Sequence, residues 1–89
     1  MGKTLNTEAL LNAVYENDIR LILEKDHWTD GVRIYARKGN CEVQTVFYKN
    51  SKEDLKKIIE RVITRVCLLK KANVRGVFDI HQPVPGIDA

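Results

Sequence analysis

The spacing of hydrophobic positions along the chain changes twice, and the changes lay out its elements. Leu10, Leu11 and Val14, with Tyr15 at the margin, recur at short helical intervals and predict a first helix from Leu5 to about Glu16. Asn6 is placed to cap it, Leu5 to staple back onto Leu10, and Glu8 to favour the first turn. Asn17 suits a left-handed terminator. From Asp18 to Glu24 the period falls to two, with Ile19, Leu21 and Leu23 on one side and Arg20, Ile22 and Glu24 on the other. A polar loop, Lys25 to Asp30, leads to a second alternating run. There Val32, Ile34 and Ala36 face in, and Arg33, Tyr35 and Arg37 face out. Gly39-Asn40 reads as a two-residue hairpin turn, after which Val43, Thr45 and Phe47 extend the inward row against Glu42, Gln44, Val46 and Tyr48.

That turn sets the pairing. Ala36 falls opposite Val43, Ile34 opposite Thr45 and Val32 opposite Phe47, while Arg37 meets Glu42, Tyr35 meets Gln44 and Arg33 meets Val46. A loop over 25–30 places Leu23 against Val32, Leu21 against Ile34 and Arg20 against Tyr35. A slip of one residue would turn each inward side chain outward.

The longest apolar stripe comes next. Leu55, Ile58, Ile59, Val62, Ile63, Val66 and Leu69 fall within about 140° of a helical wheel. Ser51 with Asp54 reads as a capping box, so the predicted helix runs from Ser51 to Lys71, about 20 residues. Residues 74–80 can add an edge strand. The tail, 82–89, carries Pro83, Pro85 and Gly86 and is expected to be extended or disordered. The fold class is therefore α+β: helix, three-stranded antiparallel meander, long helix, and a short C-terminal edge strand if residues 74–80 join. Residues 1–81 form one domain.

At 89 residues there is one modest core and no second domain to enclose a catalytic cleft. The longest apolar run falls well short of the roughly 18 residues of a membrane span, and the N-terminus lacks the apolar core of a secretory signal. Gly2 invites myristoylation, but Leu5 and Asn6 fit that pattern poorly. A cytoplasmic protein without a membrane partner is expected. Cys41 and Cys67 lack the paired spacing of a zinc site; they read as reduced small hydrophobes, or as a bridge if the long helix packs over the sheet. No cofactor or metal is expected.

Charge is distributed unevenly. Residues 1–31 hold three basic and six acidic side chains, residues 32–75 twelve and four, and residues 76–89 two acidic ones. The central stretch points to an anionic partner. Arg20, Arg33, Tyr35 and Arg37 should share the outer sheet face with Ile22, Gln44, Val46 and Tyr48, a set suited to phosphates and exposed bases. The same arginines can instead pair across strands, as Arg37 with Glu42 would, or the face can pack on a protein. Lys57, Arg61 and Arg65 form a row along the long helix, with Lys56, Lys70 and Lys71 nearby and Leu68 among them. Glu53 can pair with Lys57, and Asp54 can reach Arg61. In the loop, His27 and Trp28 lie beside Asp26 and Asp30; these are too few ligands for a metal, and Trp28 reads as a loop anchor or a protein-contact residue.

The element order, helix, three antiparallel strands, helix, resembles that of double-stranded-RNA-binding domains in topology. Those domains start their second helix with lysines followed by alanines. Here Ser51-Lys52-Glu53-Asp54-Leu55-Lys56-Lys57 is mixed in charge and has no alanine, so no residues carry over. The same order occurs among small phage-encoded inhibitors of bacterial defence systems. Two functions are thus expected. One is non-enzymatic binding of nucleic acid or a nucleoprotein complex through the basic sheet face and helix flank. The other is a protein-interaction module, an inhibitor or a homodimer, using Trp28, Tyr35, Tyr48, Ile22 and Val46.

Overall fold

In the computed structural model, which describes residues 6–84 and 86–88, α1 spans Thr7–Glu16 and β1 spans Arg20–Lys25. Strand β2 is Gly31–Lys38, β3 is Cys41–Tyr48, α2 is Leu55–Lys71 and β4 is Gly76–Asp79. The strands lie in chain order; the first three are antiparallel, and β4 runs parallel to β3 because α2 carries the chain back between them. The α+β order expected from the sequence is the order found, including the short C-terminal strand.

Helix α2 packs on the inward face of β2 and β3, and α1 packs against α2. Ile58, Val62, Ile63, Val66 and Leu69 of α2 are buried against Ile34, Ala36, Cys41 and Val43, with Leu10 and Ile19 completing that core from the N-terminal side. Burial of this stripe stabilises α2, as a marginal isolated helix requires. Cys41 is buried, Cys67 half-buried, and both are free thiols; burial pushes the Cys41 thiol up. No helix among the described residues is long and apolar enough to cross a membrane.

The β2–β3 register is the expected one at all six predicted pairs, and Gly39 takes φ +59° in the turn. Four expectations need correction. Strand β1 is shifted by two residues: Leu23 lies opposite Ile34, Leu21 opposite Ala36, and Arg20 opposite Arg37 instead of Tyr35. Lys25 extends the strand, and the Asp26 amide donates to the Gly31 carbonyl (3.0 Å), so the loop shortens to 26–30. The even shift keeps every side chain on its expected face. Leu23 is nevertheless 47% exposed, since α2 lies over β2 and β3.

The cap of α2 is Asp54, whose carboxylate accepts from the Lys56 amide (2.9 Å), and not Ser51; the Ser51 hydroxyl accepts from the Glu53 amide in the preceding turn. The helix is therefore 17 residues long. At the end of α1, Asp18 (φ +54°) takes the left-handed position and not Asn17. The amides of Ile19 and Asp18 return to Val14 and Tyr15, as those of Val74 and Asn73 return to Leu69 and Lys70 after α2. Both helices thus end in the same paired motif, with Asp18 and Asn73 at its left-handed position. Asn6 caps α1 as expected, accepting from Ala9; the Leu5 staple lies outside the described residues.

The last correction concerns the tail. Val84 is 4% exposed and belongs to the core, and Ile87 packs beside it. Asp88 accepts from the Val84 amide (2.7 Å) and pairs with Arg65. Val84, Ile87 and the Asp88 side-chain carboxylate dock a segment whose prolines alone suggest otherwise.

Candidate functional site

Each arginine of the outer sheet face meets its surroundings through the register. Outward positions form cross-strand rows: Arg20, Arg37, Glu42 and Val77; then Ile22, Tyr35, Gln44 and Asp79; then Glu24, Arg33 and Val46. Arg37 donates from Nε (3.0 Å) and Nη2 (2.8 Å) to Glu42, a residue only 8% exposed. Arg33 donates from Nε and Nη2 to one oxygen of Asp26, itself nearly buried, and reaches Gln44 at 3.5 Å. The Tyr35 hydroxyl donates to Glu24 (2.8 Å), and this bond to a carboxylate raises its pKa. Asp26 is held below the usual carboxylate range, first by the Thr29 hydroxyl and then by Arg33. Arg33 and Arg37 are therefore neutralised within the sheet. Arg20, exposed at the edge, makes no ion pair among the described residues and lies opposite Arg37.

Trp28 is 87% exposed. The loop anchor is Asp26, whose carboxylate accepts from the Thr29 hydroxyl and from Arg33. The structure does not bring Trp28 into the arginine cluster. Tyr48 lies at the same end, paired in register with Gly31 and bordering a small hollow with Asp30, Lys49 and Asn50. His27 and His81 lie on different segments, and no group of three metal-ligating side chains gathers among the described residues.

The solvent flank of α2 is arranged differently. Lys57, Arg61 and Arg65 share it with Thr64 and Leu68, and the C-terminal segment, Ile80 to Pro83 with Asp88, forms the opposite wall of a groove of about 750 Å³. Arg61 is within 3.5 Å of Glu53, both exposed, so its partner is Glu53 and not Asp54, which is occupied in capping. Arg65 is clamped to Asp88 and lowers that carboxyl's pKa, with the Val84 amide adding to the effect. Leu68 stays 45% exposed at the groove wall. Lys57 makes no ion pair among the described residues.

The residues that sequence reasoning missed are the acids and the docking residues: Asp26, Glu24 and Asp88 as partners, and Val84 as core. Asp26 is legible once the strand is extended, since it shares outward parity with Glu24 and sits three residues before Thr29, a turn spacing. No family model, curated protein or solved structure matches this chain.

Proposed function

We propose that the chain is a non-enzymatic binding protein whose working surface is the α2 flank with its groove, taking a protein segment that combines acidic and apolar side chains. The observation that carries this reading is the lining: Lys57 and Arg61 beside exposed Leu68, with Ile80 and Pro83 across from them. Cations at the rim would orient an acidic side chain, and the apolar wall would supply the contact area. The sheet arginines are less available, because a partner would have to displace carboxylates already bonded to them.

A second reading, nucleic acid, is supported by one further feature. Lys56, Lys57, Lys70, Lys71 and Arg75 are exposed on or just beyond α2 without ion pairs among the described residues. Fluorescence anisotropy with a labelled glutamate–leucine peptide, a single-stranded DNA and a duplex RNA, between about 50 and 200 mM salt, separates the two. Peptide binding that persists across the salt range and is lost in Lys57→Glu and Leu68→Asp supports the groove. Nucleic-acid binding with a steep salt slope and indifference to Leu68→Asp moves the assignment to the second reading. Failure of all three probes to bind rejects both.

A further inference from the structure

We infer that β1 is a homodimerisation edge, at which a second copy of the chain adds its own β1 antiparallel to make a continuous eight-stranded sheet. The backbone alternation comes first. Asp26 donates to the Gly31 carbonyl across the β1–β2 pairing, so the even residues of β1 bond to β2. The amides and carbonyls of Leu21, Leu23 and Lys25 consequently point to the side of β1 that no strand among the described residues covers. Edge strands are ordinarily protected by prolines, bulges, charged side chains, inward-pointing charges or shortness; in β1 the charge of inward parity, Lys25, stands at the end of the strand. Strand β4, the other edge, has four residues. Strand β1 has six residues in unbroken register, and its centre reads Leu21-Ile22-Leu23.

Charge complementarity then selects the occupant. A two-fold axis at Ile22 places Leu21 of each copy opposite Leu23 of the other on the inward face, where Leu23 is half exposed. On the outward face the same register puts Arg20 of each copy opposite Glu24 of the other. Among the described residues Arg20 pairs with no carboxylate, and it faces the like charge of Arg37, a placement that disfavours the lone sheet and is relieved by the second copy. Glu24 engages Tyr35 through one oxygen, which leaves the other for the incoming guanidinium. Shifting the axis to Leu23 would instead set Arg20 against Asp26, already occupied by Arg33, and Ile22 against Glu24. The bonded pairs in the favoured register are Leu21 with Leu23, and both carry outward-pointing backbone groups, as an antiparallel ladder needs.

Sedimentation equilibrium of the full chain, of Arg20→Glu, of Glu24→Arg and of the double exchange tests this surface separately from the groove. The wild-type chain should dimerise. Each single reversal places two like-charged pairs across the seam and should weaken the dimer by about tenfold or more; the double exchange should restore it. In the wild-type chain, amide exchange at Leu21 and Leu23 should slow as concentration rises, while Ile22 and Glu24 stay protected throughout. A wild-type chain that remains monomeric with concentration-independent exchange at Leu21 and Leu23 overturns the proposal. So does a dimer that either single reversal leaves intact, or a double exchange no better than the singles.

Discussion

The outer face of the sheet and the solvent flank of α2 both carry arginines, but they neutralise them in different ways. On the sheet, Arg37 and Arg33 are bonded to Glu42 and Asp26, acids that the register and the β1–β2 turn hold nearly buried. On the helix, Arg61 meets an exposed Glu53 at 3.5 Å, and Arg65 meets Asp88 from a segment at the far end of the chain. A carboxylate fixed in a sheet stays with its arginine. One on a solvated turn or a docked terminal segment can be exchanged for a partner's. A count of basic residues in the sequence does not distinguish these surfaces; the placement of the acids does.

The largest effect should come from the core that both regions share. Val62 is fully buried between α2 and the sheet, and Val62→Ala should cost about 2–4 kcal/mol in chemical denaturation. Ile59→Ala, at a half-buried position, should cost less. Equal losses at the two sites would show that the helix is rotated from the face described. Next comes Arg37→Gln, which leaves the Glu42 carboxylate nearly buried without its ionic partner. About 1–2 kcal/mol is expected, and Arg37→Gln with Glu42→Gln should recover part of it. A neutral single substitution would mean that this pair is as solvated as Arg61 with Glu53 on the helix.

The meander was legible because two signals agreed. The turn at Gly39-Asn40 and the alternation of Val32, Ile34 and Ala36 with Val43, Thr45 and Phe47 admit one register. The β1 register was not legible to better than two residues, since a shift by two preserves the inward and outward faces that alternation reports. What decides it is the Asp26 amide bond to Gly31 and the burial of the Asp26 carboxylate, both tertiary. Likewise Ser51 and Asp54 are both good caps by type, and only the site where the chain enters the helix chooses Asp54. The candidate site was half legible. The row Lys57, Arg61 and Arg65 is written in helical spacing, whereas the opposite wall, Ile80 to Pro83 with Asp88, is held there by the long-range docking of Val84 and Ile87.

Acid should sharpen the contrast between the anchored loop and the docked tail. Asp88 has its pKa lowered by Arg65 and the Val84 amide, and Asp26 by Thr29 and Arg33. A depressed folded-state pKa means stabilisation that is complete above the ordinary carboxylate range and lost as pH falls through the lowered value. Methyl resonances of Val84 and Ile87, followed downward from neutral pH, should therefore report release of the C-terminal segment in acid. Asp88→Asn should remove that transition from the methyl signals while leaving the acid response of the Thr29 region in place. Identical acid responses in the variant and the parent would mean that apolar packing alone holds the segment.

The smallest stability effect belongs to the pair that matters most to the proposed function. Arg61 and Glu53 are 53% and 60% exposed in their side chains and meet at 3.5 Å. Such a pair gains little Coulomb energy in water, and its long side chains lose rotamer freedom in meeting. Arg61→Gln should change unfolding stability by no more than about 0.5 kcal/mol. The same substitution removes a rim cation from the groove, where a bound acidic segment would exclude water and strengthen the contact. Binding of the glutamate–leucine peptide should therefore weaken by about 1–3 kcal/mol, well beyond the change in stability. Arg37→Gln should reverse the pattern, costing stability and leaving peptide affinity unchanged. If Arg61→Gln is silent in both measurements, the flank of α2 is a solvated face and the groove is not the working surface. If Arg37→Gln impairs peptide binding while Arg61→Gln does not, the site lies on the sheet.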